Sequence, residues 1–154
     1  MIFNKLRSRH QPSKRGKHSG YSGANLAGKN FVGAHLKDTN FSHAKLFKAQ
    51  FSGAELSGAI FRGANLVKAD FKWARLIRAV LTDADLTGAD LTGADLQWAM
   101  VNGAILRNVN FKGANLLGTG IIKTSFYIKT LDIIYDESTI WDDMRFYHNK
   151  SKQR

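Results

Sequence analysis

From Leu26 to Ile121 every fifth residue is large and apolar, giving twenty consecutive positions: twelve Leu, six Phe, one Val and one Ile. Two residues before each stands a small one. Ala fills sixteen of those twenty places, with Lys29, Thr39, Val109 and Thr119 as the exceptions. Such a period would smear the apolar residues around a helix and flip them between the faces of a strand. It works if the chain bends sharply once per repeat, so that each repeat forms one side of a coil. The large residue and the Ala then point inward and the other three positions face water. Gly recurs two residues after the large one, from Gly33 to Gly118, where a corner at positive φ suits it.

The number of sides per coil follows from side-chain size. Leu and Phe alternate strictly from Leu26 to Leu76. A triangular coil would stack Leu26 on Phe41 and mix sizes in every column. A square coil of twenty residues gives two columns of pure Leu, 26/46/66/86/106 and 36/56/76/96/116. Phe then occupies the other two, at 31/51/71/111 and 41/61. Like stacks on like, as tight packing between layers favours. The twenty repeats therefore make five coils of four sides, a rod on the order of 24 Å long.

The run Ala84-Asp85-Leu86-Thr87-Gly88-Ala89-Asp90-Leu91-Thr92-Gly93-Ala94-Asp95-Leu96 closely resembles the pentapeptide-repeat family, whose consensus is Ala-(Asp/Asn)-Leu-x-x in tandem. The resemblance covers about two thirds of the chain. It implies an all-β fold, the right-handed quadrilateral β-helix, in agreement with the column argument. It implies no single biochemical function.

The repeats divide the chain into three parts: a basic, disordered arm over 1–20, the β-helix over 21–131, and a C-terminal cap with a basic tail over 132–154. The spacing persists through Phe126 and Leu131 and then lapses. Ser138 is placed to N-cap a short helix in which Ile140, Trp141, Met144 and Tyr147 share a face. Tyr135-Asp136-Glu137-Ser138-Thr139-Ile140-Trp141 resembles a segment that follows the repeats in cyanobacterial family members, without the usual Pro after it; a bacterial, cyanobacterial-like source is the corresponding expectation. The cap would cover apolar side chains and unpaired backbone groups at the open end.

Composition narrows the chemistry. The chain has 154 residues and no Cys, so disulfides, thiol nucleophiles and thiolate metal sites are excluded. No apolar run is long enough to span a bilayer. A cytoplasmic protein is expected, with organelle targeting by the Arg- and Ser-containing, acid-free start as the alternative. No nucleophile motif or phosphate loop appears. His35 and His43 fall at outward positions on different sides of one coil, with no second ligand at metal spacing. Asp85, Asp90 and Asp95 occupy three different sides, which rules out a calcium ladder. No enzyme activity, metal or cofactor is expected.

Surface features remain. Just before the inward residue of the fourth side come Asn40, Ile60, Val80, Met100 and Gly120. Three stacked apolar residues, Ile60, Val80 and Met100, stand where the repeat prefers Asp or Asn, with Ile122 near the end of that side. Such a ladder marks a contact, made either by the C-terminal segment folding back or by a partner, which includes a second copy in a homodimer. Net charge is the other feature: 23 Lys and Arg against 12 Asp and Glu give +11. The arm supplies Lys5, Arg7, Arg9, Lys14, Arg15 and Lys17. A basic patch in the second and third coils comprises Lys45, Lys48, Lys68, Lys72, Arg75 and Arg78 around Trp73, the composition that serves nucleic acid or an acidic protein. Residues 80–100 carry four Asp and no base.

Three functions from different classes compete. The first is a rigid interaction or scaffold module whose ladder and basic surface dock into a multi-subunit protein assembly. The second is binding of nucleic acid or another anionic surface through the basic arm. The third is implied by the resemblance alone: acidic, dimeric family members mimic DNA at a type II topoisomerase. A chain at +11, or +5 without the six arm cations, fits that mechanism poorly. The scaffold reading is preferred.

Overall fold

The computed structural model describes residues 20–121 and 133–141. The expected arm, Gly20 apart, lies outside them, as do Ile122, Phe126, Leu131, Met144 and Tyr147.

The rod is a square coil. Its parallel β-bridges join residues twenty apart: Asn25↔Lys45, Asn30↔Gln50, His35↔Glu55 and Asn40↔Ile60 open four columns that continue upward at the same interval. The sides of the first coil are 24–28, 29–33, 34–38 and 39–43, and each later coil adds twenty to these numbers. Within a side the hydrogen bonds repeat. Lys45 N–H donates down to the Ala24 carbonyl at 2.9 Å, while the Leu26 and Gly28 N–H groups donate up to Lys45 and Phe47 at 2.8 Å. Each side thus exchanges three bonds with the one above, which satisfies its backbone without a long strand.

The corners are β-turns. Ala44 N–H reaches back to the Phe41 carbonyl at 3.0 Å, and the corner residue between them, His43, has φ 57°. A turn of this kind requires positive φ at its third residue. Gly is therefore common there, yet nine corners carry another residue, Trp73 and Trp98 among them.

Inside, Leu46, Phe51, Leu56, Phe61, Leu66, Phe71 and Leu76 are fully buried, and so is the Ala two residues before each of them. The Phe columns explain the alternation. Phe31, Phe51 and Phe71 stack at 4.9 Å, nearly parallel, and Phe41 stacks on Phe61 at 5.0 Å. Across the core the two columns meet edge to face, Phe51 to Phe61 at 5.8 Å and 83°, the arrangement that ring quadrupoles favour. A Phe on adjacent sides would crowd a corner, so Leu separates them.

The upper end departs from the sequence expectation. Ile134, twenty-four residues after Asn110, takes the bridge that a regular repeat would give to residue 130, and Ile140 pairs with Asn115. Tyr135 and Trp141 thereby occupy inward places above Phe111 and Leu116, their rings edge to face at 5.3 Å. Residues 138–141 do not begin a helix. Asp136 Oδ1 accepts the Ser138 N–H at 3.0 Å and its hydroxyl at 2.6 Å, closing a turn, and the Gly113 N–H below at 3.2 Å. Ile140 N–H then donates to Ala114, and Leu116 N–H to Ile140. Coil geometry wins because the fifth coil offers backbone groups that a helix would leave unpaired. Thr139 sits fully buried where the repeat places Ala, its hydroxyl donating to the Phe111 carbonyl at 2.8 Å.

Candidate interaction surface

The residue before each inward side chain has a local task. At ten sides an Asn or Asp there accepts, through Oδ1, the N–H two residues on: Asn25, Asn30, Asn40, Asn65, Asp70, Asp85, Asp90, Asp95, Asn110 and Asn115. Glu55 does the same for Ser57. This turn-capping bond is why the repeat prefers a short acid or amide at that place. It also accounts for Asp85, Asp90 and Asp95, whose carboxylates bond to Thr87, Thr92 and Gln97 on three separate sides.

Ile60, Val80 and Met100 have no oxygen with which to make that bond. The structure bridges them in one straight column, Ile60↔Val80↔Met100, with Asn40 beneath. Ile60 and Val80 are half-buried and Met100 is 51% exposed. The same side carries Ser42, Arg62, Thr82 and Asn102, and its far corner carries His43 and Asp83. On the near corner Arg78 lies one coil below Trp98, which is 57% exposed. The fourth side is thus an apolar strip with Arg78 and Trp98 on one edge and Arg62 on the other. Neither Arg62 nor Arg78 forms an ion pair among the described residues.

The basic patch expected from sequence is not one patch. Lys45, Lys48 and Lys68 lie on the first side and its corner, where Lys48 Nζ sits 5.2 Å from the Phe47 ring. Lys72 and Trp73 are on the second side, and Arg75 and Arg78 on the third. Two of these cations are also spent within the rod. Lys72 is 3.6 Å from Asp70 and 3.4 Å from Asp90 one coil above, while Arg75 meets Glu55 one coil below at 3.0 Å. Asp70 and Asp90 hold the Lys72 ammonium above its usual range. The Glu55 carboxyl lies below its ordinary value, first through the Ser57 hydroxyl and then through Arg75 and Lys37. Burial works against the Asp90 carboxylate, but the Thr92 hydroxyl and N–H together with Lys72 outweigh it and keep that carboxyl low. Lys45, Lys48 and Lys68 form no ion pair among the described residues.

Trp98 was missed by reading charge clusters, and a signal for it exists. An added Cβ on Gly93 would collide with the Trp73 ring, and one on Gly118 with the Trp98 ring. Each indole therefore lies across the glycine one coil above. Asp38 over Gly58, His43 over Gly63 and Asp83 over Gly103 repeat the arrangement. A large corner residue followed by Gly twenty positions later is the sequence mark of a side chain laid along the rod.

Among the described residues no three His, Cys, Asp or Glu come together as a metal site, and no helix is long and apolar enough to cross a membrane. His35 and His43 stand exposed on different sides.

The comparisons follow the repeat. A family model described as pentapeptide repeats matches residues 22–53, 44–83, 69–108 and 89–126. No match is found among curated proteins. One similar solved structure is a pentapeptide repeat protein of the Arabidopsis thaliana thylakoid lumen, 29% identical over 84% of this chain and 91% of that one, with a TM-score of 0.70. Another is HetL, a pentapeptide repeat protein involved in heterocyst differentiation regulation in the cyanobacterium Nostoc sp. strain PCC 7120. It is 25% identical with a TM-score of 0.63, and the match covers 77% of this chain and 53% of HetL.

Proposed function

This chain belongs to the pentapeptide-repeat family, and from that premise we propose that it is a non-enzymatic interaction module docking into a larger protein assembly through the Ile60–Val80–Met100 ladder and the cations beside it. One observation carries the reading: at three successive coils the fourth side forgoes the turn-capping bond that ten Asn and Asp residues make elsewhere. Such a bond contributes about 0.5–1.5 kcal/mol, so folding alone favours Asn or Asp there. A contact that removes the apolar side chains from water supplies the missing advantage, at about 25 cal/mol per Å².

Size decides the kind of contact. One side is roughly 10 Å wide and 24 Å long, hence about 240 Å², whereas a stable interface takes about 800 Å² from each partner. The ladder alone is too small to hold a homodimer, and it suits one contact among several in an assembly. HetL's regulatory role fits a rod that acts by contact. Binding of an anionic partner is the second reading, favoured by Lys45, Lys48 and Lys68 on one edge and by the six cations of 1–20.

Salt separates the two. Val80→Asp should abolish recovery of partners from native lysate at both low and high salt if the ladder docks, because apolar contacts are nearly salt-independent. If phosphate contacts dominate, recovery should fall steeply with salt and ignore the mutation. The second pattern would overturn the docking reading.

A further inference from the structure

We infer that the fourth side receives an amphipathic α-helix of a partner protein, laid along the rod axis, with one apolar residue per turn on the ladder and carboxylates against Arg62 and Arg78. The inference rests on the ladder being a docking surface and names what docks.

Spacing selects the helix. Successive coils are 4.9–5.0 Å apart, as the stacked Phe rings show. A helix brings a side chain to the same face about every 5.4 Å. Across the two intervals from Ile60 to Met100 it drifts by roughly 1 Å, within the play of a side chain. An extended strand running the same way repeats a face every 6.6–6.8 Å or so and would drift by more than 3 Å, setting its residues between rungs. A strand lying across the rod would need unpaired backbone on the fourth side. There the Val80 N–H is taken by Ala59 and the Val80 carbonyl by Phe61.

Charge selects its flanks. Arg78 stands on one edge in the coil of Val80, and Arg62 on the other in the coil of Ile60. Two carboxylates border these three rungs, Asp83 on the corner beyond Thr82 and Asp38, which lies over Gly58 below Arg78, and each stands at a different level from the Arg of its own edge. A helix with Glu or Asp on both sides of its apolar stripe meets an Arg on each edge, and Arg holds carboxylates in a planar fork. Trp98, above Arg78, gives the stripe's edge an aromatic surface of the type enriched where interfaces bind tightly.

The test uses the full chain and a fluorescein-labelled eighteen-residue helical peptide with one Leu per turn and Glu on both flanks. Two further peptides serve as references: one of the same composition with the Leu positions scrambled, and one with Lys flanks. Anisotropy titration should show saturable binding of the patterned Glu peptide and at least tenfold weaker binding of the scrambled one. Val80→Asp should weaken the patterned peptide at least tenfold. Arg62→Glu with Arg78→Glu should shift the Glu-to-Lys preference at least tenfold toward Lys. Scrambled and patterned peptides binding within twofold of each other, or indifference to Val80→Asp, would overturn the helix. A photo-crosslinking amino acid at Thr82 separates this failure from that of the docking reading. Crosslinks to native proteins that vanish with Val80→Asp, alongside an indifferent peptide, would leave the docking surface standing and remove the helix. No crosslink and no peptide binding would remove both.

Discussion

Leu66 and Val80 are apolar residues of the same coil, and they teach opposite lessons. Leu66 stands at an inward place between Leu46 and Leu86 and is fully buried. Val80 stands one residue before an inward place and is only half-buried, with its neighbours in the column also apolar. The inward column exists because the coil has to be filled. The outward ladder fills nothing, and it replaces a residue type that would have closed its own turn. Apolar character means core at the first place and contact at the second, and the five-residue register tells them apart.

The largest effect should come from the core. Leu66→Ala removes buried methyl groups from a layer closed above and below, and should cost about 2–5 kcal/mol in chemical denaturation. Lys68→Ala, two residues on and exposed, should stay within about 0.5 kcal/mol. Equal costs would show that the register does not separate inside from outside.

Corner residues sharpen the comparison, since they belong to neither set. Gly53 and Gly93 share one column at φ 64° and 65°, but an added Cβ meets nothing at Gly53 and the Trp73 ring at Gly93. Ala at either place should cost about 1–2 kcal/mol for the left-handed backbone. Gly93→Ala should cost more than Gly53→Ala and should shift Trp73 fluorescence. Trp73→Gly should erase the difference between them. If the two Ala variants melt alike with Trp73 present, the indole does not lie on the glycine.

Much of this was legible beforehand, for physical reasons that can be assigned to residues. The square coil followed from Leu stacking on Leu and Phe on Phe, because packing between layers leaves its record in side-chain size. The ladder column followed from counting by twenties. The basic patch did not survive as one surface. Lys68, Lys72, Arg75 and Arg78 are close in sequence, yet each corner turns the chain onto another side, and two of the acids that pair with Lys72 and Arg75, Asp90 and Glu55, come from neighbouring coils. The course of 133–141 was missed because Ile134 lies off the five-residue register and Ile140, though on it, comes twenty-five rather than twenty residues after Asn115; their pairing is set by the open backbone of the fifth coil and by the Asp136 turn.

The ion pairs predict a smaller, pH-dependent effect. The Asp90 carboxyl is held below its ordinary 3.8. A group depressed on folding stabilises the fold above its unfolded value, and that contribution is lost as the pH falls through the folded one. The wild type should therefore lose stability below about pH 4. Asp90→Asn keeps the oxygen that accepts from Thr92 and should flatten the acid limb of the stability profile while changing the melt at pH 7 only slightly. An unchanged acid limb would mean that the charge on Asp90, through its bonds from Thr92 and its bridge to Lys72, contributes nothing to the fold, as is common for exposed groups.

The smallest effect on folding is expected where the functional claim is largest. Val80→Asn puts on the fourth side the residue type found at Asn65, where Oδ1 accepts the Val67 N–H at 3.2 Å. In Val80→Asn the same oxygen would meet the Thr82 N–H. The gained bond, about 0.5–1.5 kcal/mol at most, opposes the loss of a β-branched, half-buried side chain, so the melting temperature should move by no more than a degree or two. If the chain's own C-terminal segment covered the ladder, burying an amide with no partner there would instead cost about 1–3 kcal/mol, and the melt would fall clearly. Thermal unfolding of this one variant therefore says what the ladder is for. An unchanged melt leaves the strip open for a partner, and a marked drop would make it part of the fold, like Leu66.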